Sequence, residues 1–262
     1  MNVLITGACG GMGLAACELL TKSGHSVWGL DISEPKSAHA WRFLQVDLAQ
    51  EAAVAAAAEK LSQEGASFDA IIHHAGIYDL NSLVEMPEED MKRIWEANFF
   101  AAVRVNRLFL PLLTPGAKII LTSSELAPLD PLPFTGIYGI TKTAVEKYAF
   151  SLRMELQLLG CRVVILRPGA VNTSLLGVST ARLEAFRNST THYQYNAERF
   201  SRIVNSVEAK SITPAKIAQI DRKILRRKNP RYVYNVNRNF ALRLLNFLPT
   251  RLQTAIIRRI LK

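Results

Sequence analysis

NVLITGACGGMG (residues 2–13) decides the fold, because an apolar run passes without a spacer into a glycine-rich turn and then into a helix-forming stretch, 11–23. Short runs of Val, Ile and Leu bounded by turn residues have the marks of strands buried on both faces. Gly7, Gly11 and Gly13 permit a tight turn and a close backbone approach to a pyrophosphate lying on the N-terminus of the following helix. A glycine turn alone is often only a turn. Placed between the first strand and the first helix, this one predicts nucleotide binding, with Met12 among the contacts.

Working outward, HSVWGL (25–30), WRFLQV (41–46), DAIIHH (69–74), AKIILTS (117–123) and RVVILR (162–167) read as further strands, and RYVYNV (231–236) as a last one. Helical stretches lie between them at 11–23, 50–64, about 88–113 and 137–159. The segment from Glu51 to Glu64, nearly all Ala with Glu, Lys and Leu, is a strong helix former. Alternation of this kind implies βαβ units with right-handed crossovers. The expected fold is α/β, a doubly wound parallel sheet of about seven strands with helices on both faces.

At 262 residues and 49% apolar content, a single domain over 1–262 is expected. The pattern changes after Pro168-Gly169. Residues 174–211 hold no convincing strand but scatter Leu175, Leu176, Phe186, Tyr193, Tyr195 and Phe200 among polar residues, which reads as a substrate lid of helices and loops. In TPAKIAQIDRKILRRK, Thr213 is the expected N-cap and Pro214 occupies the first turn.

No apolar run reaches the ~18–20 residues needed to cross a bilayer. The N-terminus lacks the basic and apolar regions of a signal peptide, so a cytoplasmic protein is expected. Cys9, Cys17 and Cys161 are odd in number and lack metal-ligand spacing, which suits free thiols and no metal. The net charge of +10 is unevenly placed: from Arg199 onward 16 Lys/Arg stand against Glu208 and Asp221, putting about +14 in the last quarter and about −4 elsewhere. Such asymmetry suits a membrane surface, an acidic partner or nucleic acid, or else an ordinary solvated helix face. In the tail, 238–262, Pro249 separates two helical stretches. Leu252, Ile256 and Ile260 share one face of the second, while Arg251, Arg258, Arg259 and Lys262 carry charge. Such a helix can lie among lipid headgroups, close a substrate cleft or pack on a second subunit. No recognised motif accompanies the charge, so nucleic acid is not the expected partner.

Asp31 ends the second strand, where a carboxylate can hydrogen-bond the adenosine ribose and repel a 2′-phosphate. No Arg or Lys lies in the glycine turn or immediately after Asp31, so NAD is favoured over NADP; the plainer reading is a strand-ending turn Asp. Asp47-Leu48 closes the third strand, at the border of the adenine. In GIYGITKTAVEKY (136–148), Tyr138 and Lys142 stand at i and i+4 and share a helix face. A free tyrosine, with a pKa of about 10, is a poor base at neutral pH, but a fixed positive charge beside it stabilises the phenolate. Such a tyrosine can exchange a proton with an alcohol or ketone. Most pairs with this spacing are simply an amphipathic helix with a solvated lysine.

TGxxxGxG, Asp47-Leu48, HHAG (73–76), Asn98, Ser123-Ser124, Tyr138-x3-Lys142 and Pro168-Gly169 occur in the order and approximate spacing of the short-chain dehydrogenase/reductase family. The chain resembles that family closely over about 1–170 and loosely beyond. The resemblance implies a Rossmann fold. It casts Tyr138 as general acid/base, Lys142 as the residue that binds the nicotinamide ribose and lowers the tyrosine pKa, Ser124 as the hydroxyl holding the substrate oxygen, and Asn98 as support for a water-linked proton relay. Ala75, Gly76, Pro168, Gly169, Val171 and Thr173 would border the cofactor.

Two departures are visible. His73 and His74 stand where the family usually has two asparagines, and an imidazole is expected to take over strand bracing by hydrogen bonds. Ser124 lies 14 residues before Tyr138, where the family commonly shows 13, the position of Glu125. An extra residue in the loop APLDPLP accounts for this, with Glu125 as the alternative substrate-oriented residue. The expected activity is NAD-dependent interconversion of a lipophilic secondary alcohol, steroid- or retinoid-like, and its ketone. The tail, with PRY before it, is similar to those of family members acting on such alcohols. Alternatives are a 3-oxoacyl or polyol substrate, a non-catalytic NAD-binding regulator, and a basic surface-docking protein. A homodimer is expected, with a tetramer as the alternative, and peripheral membrane contact through the tail.

Overall fold

The computed structural model describes residues 1–208 and 210–262, except for the side chains of 174–180 and 208. Leu175 and Leu176, assigned above to the lid, therefore lie outside the described residues. Seven strands form one sheet: β1 Asn2–Thr6, β2 Ser26–Asp31, β3 Arg42–Gln45, β4 Phe68–His73, β5 Leu113–Thr122, β6 Arg162–Pro168 and β7 Val233–Val236. Their order is β3-β2-β1-β4-β5-β6-β7 with every neighbouring pair parallel, the doubly wound sheet expected from the alternation. The chain leaves β1 toward β2 and returns on the other side at β4. That reversal opens a crevice at the carboxyl ends of the strands.

Successive side chains of one strand feed different layers, which is why the strands read as continuous apolar runs. Val3 and Ile5 of β1 pack with Ala16, Cys17 and Leu20 of α1 (Gly11–Lys22) and with Ile217 and Ala218 of α8 (Pro214–Arg226). Leu4, between them, faces Val54 and Leu61 of α2 (Glu51–Gln63) and Val105 and Phe109 of α4 (Ala101–Phe109). Val163 and Ile165 of β6 meet Val145 and Ala149 of α5 (Gly136–Leu156), whereas Val164 and Leu166 join the layer of α1 and α8. Each such fully buried side chain contributes roughly 1.5–3 kcal/mol.

The helix expected over 88–113 is broken. α3 (Glu88–Trp95) passes into a single π turn, Glu96–Phe100, before α4 begins. A π turn holds one more residue than an α turn, and here it carries the buried Asn98. β5 starts at Leu113, earlier than its apolar run, because Leu113 pairs with Phe68 before the register shifts across Thr114–Gly116.

Beyond β6 lie α6 (Ser174–Ser189), α7 (Gln194–Glu208), α8, β7, α9 (Phe240–Asn246) and α10 (Thr250–Leu261). Thr213 precedes α8 in an extended conformation, but its side chain makes no cap hydrogen bond; Asn239 does cap α9, accepting from Ala241 N–H at 3.0 Å. A separate apolar cluster joins Leu183 and Phe186 of α6, Phe200 and Val204 of α7 and Leu261 of α10 around Phe134. Phe134 has φ +64°, a region that costs a bulky residue roughly 1–2 kcal/mol. Ring contacts to Phe186, Tyr193 and Phe200, at centroid distances of 4.9, 5.3 and 5.3 Å, offset that strain. The buried Asp79 carboxylate accepts from Arg182 of α6 and, at 3.4 Å, from Arg93 of α3, tying this cluster to the body of the molecule.

Candidate active site

The first turn is built for a ligand backbone. Gly7 has φ +71°, and a Cβ added to Gly13 would stand 2.0 Å from the Gly7 carbonyl oxygen. A Cβ on Gly11 would stand 2.6 Å from Thr173 Cγ2, so this wall of the cradle touches the segment after β6. Only glycine fits these places. The α1 N-terminus beyond them has no acidic residue in its first turn, leaving its partial positive charge for an anion. These residues fit the pyrophosphate of a dinucleotide.

Asp31 stands on the rim of the cradle. Its Oδ2 accepts the Cys9 N–H at 2.9 Å and its Oδ1 the Ser33 N–H at 3.0 Å. This carboxylate thus ties the turn after β2 to the glycine cradle. Asp47 Oδ1 accepts the Ala49 N–H at 2.9 Å, and Leu48 is buried beside it. Across the switch point, the Ala75 N–H reaches Thr6 Oγ1 at 3.4 Å, and a Cβ on Gly76 would stand 2.9 Å from Asn98 Oδ1 and 3.4 Å from Lys142 Nζ.

Asn98 is held by three bonds: Oδ1 accepts the Ile77 N–H at 2.7 Å, and Nδ2 donates to Ile77 O at 3.0 Å and Thr141 Oγ1 at 3.1 Å. Buried Lys142 donates from Nζ to the Thr122 carbonyl at 3.1 Å and lies 5.7 Å from the centre of the Tyr138 ring. Tyr138 and Ser124 line the same cavity, with the serine hydroxyl near enough to favour the phenolate. The expectation that Lys142 lowers the tyrosine pKa does not hold for the protein alone. Desolvation pushes Tyr138 up to about 12, with the Ser124 hydroxyl opposing and the charge of Glu125 adding to the rise. Burial pushes Lys142 down to about 8, bringing its proton into the physiological range.

Ser124 and Glu125, the two candidates for the substrate-oriented residue, both face the cavity. Ser124 Oγ accepts the Leu126 N–H at 3.2 Å, and Glu125 Oε2 accepts the Asn239 N–H at 2.5 Å. Behind them, His73 Nε2 bonds Asn106 Oδ1 at 2.8 Å, and burial pushes this imidazole down to about 4, so it is neutral. His74 Nδ1 bonds Thr122 Oγ1 and its Nε2 bonds Asp221 Oδ2, both at 2.9 Å with both side chains fully buried. His73 thus ties β4 to α4, while His74 ties the end of β4 to the end of β5 and to α8, the strand bracing expected of an imidazole. Thr122, Thr141 and Asp221 were not foreseen. For Asp221 a signal existed, a lone acid in a strongly basic quarter of the chain.

Tyr138, Ser124, Lys142, Gly76, Met12, Pro168, Gly169, Val171 and Thr173 surround one cavity of about 170 Å³. A second cavity, of about 740 Å³, adjoins it at Glu125, Leu132 and Phe200 and extends to Ile256 and Leu261 of α10. Among the described residues no group of three His, Cys, Asp or Glu is placed to hold a metal, and Cys9, Cys17 and Cys161 are free. No helix among them is long and apolar enough to cross a membrane.

A parallel sheet with a glycine cradle at its switch point, and a Ser–Tyr hydroxyl pair facing a cavity beyond it, define a dinucleotide-dependent oxidoreductase. The sequence pattern of the short chain dehydrogenases matches residues 1–184, and the chain belongs to that family, whose members use a nicotinamide cofactor to act on CH–OH groups. It is similar, at 27% identity over 229 residues, to the 3-ketodihydrosphingosine reductase of Bacteroides thetaiotaomicron, covering 87% of this chain and 84% of the relative. Similarity to estradiol 17-beta-dehydrogenase 2 of Mus musculus is 28% over 187 residues, 67% of this chain but only 49% of that protein, about half its length. The NADPH-dependent 3-dehydrocapnine reductase of Ornithobacterium rhinotracheale is 27% identical over 190 residues, 66% of each chain. A solved short chain dehydrogenase family protein from Francisella tularensis has the same fold, with a TM-score of 0.74 at 24% identity over 90% of this chain and 95% of that one.

Proposed function

We propose that the protein is an NAD-dependent oxidoreductase that interconverts a lipophilic secondary alcohol and its ketone, within one domain spanning 1–262. The observation that carries this reading is the Ser124–Tyr138 hydroxyl pair facing a cavity walled by Ile77, Leu126, Leu132, Val204 and Leu242. The bound nicotinamide supplies or accepts the hydride. Ser124 and Tyr138 hold the substrate oxygen, and Tyr138 gives it a proton in reduction or takes one in oxidation. Lys142 binds the nicotinamide ribose, and a lysine titrating near 8 can restore the tyrosine proton at neutral pH. Asn98 fixes the backbone at Ile77 beside Lys142 and supports a water-linked relay.

Asp31 favours NAD, because its fixed carboxylate would repel a 2′-phosphate. Asp47 and Leu48 border the adenine; Gly7, Gly11, Met12 and Gly13 the pyrophosphate; Ala75, Gly76, Pro168, Gly169, Val171 and Thr173 the nicotinamide half. The α6–α7 segment serves as the lid. Phe240 and Leu244 on α9, Phe247 just after it, and Leu252 and Ile260 on α10 are exposed beside Arg251, Arg258 and Arg259, which supports docking on an anionic lipid surface. On α5, Phe150 and Met154 are exposed at i and i+4, with Leu158 exposed in the turn after it, an apolar face that supports a homodimer.

A screen of lipophilic alcohols and ketones against the purified full chain, followed by NADH absorbance, tests the activity. Turnover is expected with hydrophobic substrates; turnover of polyols alone would overturn the substrate class. Asp31→Ala is expected to erode the preference for NAD over NADP about tenfold or more. An unaltered preference contradicts the ribose assignment.

A further inference from the structure

We infer that Glu125 is a specificity-determining residue that receives a cationic group next to the substrate carbonyl, which makes the substrate class a long-chain 2-amino ketone. The inference rests on the reading above, in which Ser124 and Tyr138 hold the substrate oxygen. Glu125 follows Ser124 in the chain, so the same strand end delivers a hydroxyl and a carboxylate to one wall of the cavity. It is only 6% exposed, yet it lines both cavities and stands where they meet.

An ionised carboxylate is expensive to bury without a charged partner. Among the described residues no Lys, Arg or His nitrogen lies within 4.0 Å of Glu125. Arg238 is close enough for its charge to be felt, but it forms no ion pair with Glu125, and its buried Nε has no partner. Burial outweighs the Asn239 N–H and holds the Glu125 carboxyl above its ordinary range. Accepting that one N–H needs no charge, since a glutamine carbonyl would serve. The other oxygen, Oε1, sits against Gly169, 2.9 Å from where a Cβ there would stand, so the glycine leaves room for the carboxylate.

The charge of Glu125 also reaches the Tyr138 hydroxyl and disfavours its phenolate. An ammonium on the carbon beside the reacting carbonyl would lie between these groups. It would pair with the carboxylate and remove that opposition. An amine-free steroid or retinoid would instead leave the carboxylate against hydrocarbon. The larger cavity, with Leu245, Ile256 and Ile260 on its wall, gives an alkyl chain a place on the far side of Glu125. The compound for which the Bacteroides relative is named has this layout, a long-chain ketone with an amine on the adjacent carbon.

The test compares 3-ketodihydrosphingosine with the same ketone bearing hydrogen in place of the amine, both in detergent micelles with the full chain and either NADH or NADPH. The wild type is expected to prefer the amino ketone at least about tenfold in kcat/KM. In Glu125→Gln, which keeps an acceptor for the Asn239 N–H, that ratio is expected to fall about tenfold or more, mainly through KM. A ratio untouched by the substitution overturns the inference. So does a wild type without the preference, which decides the matter even if the variant does not fold. Reduction of the amine-free ketone alone overturns the role of Glu125 and leaves the oxidoreductase reading standing. Reduction of neither ketone overturns both.

Discussion

Residues 1–173 and 174–262 reach order by different means. In the first part, strand side chains alternate between two buried layers, and the polar groups of the cleft are tied by short bonds such as Asn98 to Ile77 and His74 to Thr122. In the second part, α6 and α7 gather on the strained Phe134, and α9 and α10 leave Phe240 and Phe247 72% and 80% exposed. The groups proposed to move protons belong to the first part; the apolar walls around them come from both. Hydride and proton transfer need fixed geometry, whereas an apolar chain needs only shape and exclusion of water.

Among changes to binding and stability, the largest effect should come from tightening the rigid part where no relaxation is open. Gly13→Ala puts a methyl 2.0 Å from the Gly7 carbonyl oxygen, and NADH affinity by fluorescence titration is expected to fall about 100-fold or more. Affinity close to the wild type would mean that this turn is not the cofactor cradle.

Next comes acid stability. His73 is held neutral, with its folded pKa at about 4 against an ordinary 6.5. On acidification the unfolded chain takes up the proton first, so stability is full above the ordinary value and drains as the pH falls toward 4. Between pH 7 and pH 5 the wild type should lose about 2 kcal/mol more than His73→Asn in urea unfolding. Parallel curves for the two proteins would break the assignment of a neutral, sheet-bracing imidazole.

The smallest effect concerns the outer part. Phe247→Ser with Leu252→Ser removes exposed apolar area without touching the sheet, and flotation with anionic vesicles is expected to drop several-fold. A wild type that fails to float would assign the tail to contacts between subunits.

Much of the first part was legible in the sequence because burial on both faces leaves unbroken apolar runs, and because the cradle glycines and the Tyr138–Lys142 pair are local patterns. The π turn at Asn98 was hidden: one extra residue in a single turn does not disturb helical periodicity over five positions. His74 and Asp221 are 147 residues apart, so only the packing of α8 on the sheet brings them together. The direction of the Tyr138 shift was misjudged because spacing reports which groups are near and not how much water they lose. Likewise the 14-residue interval from Ser124 to Tyr138 leaves two candidates, and only the fold shows that both line the cavity.

Tyr138, beside Ser124 and served by Lys142, is the group proposed to transfer the proton. Tyr138→Phe removes one hydroxyl and keeps the ring. The account predicts that NADH-linked ketone reduction falls in kcat/KM by about 1,000-fold or more, while NADH still binds. Turnover near the wild-type rate, with NADH bound equally well, would contradict it.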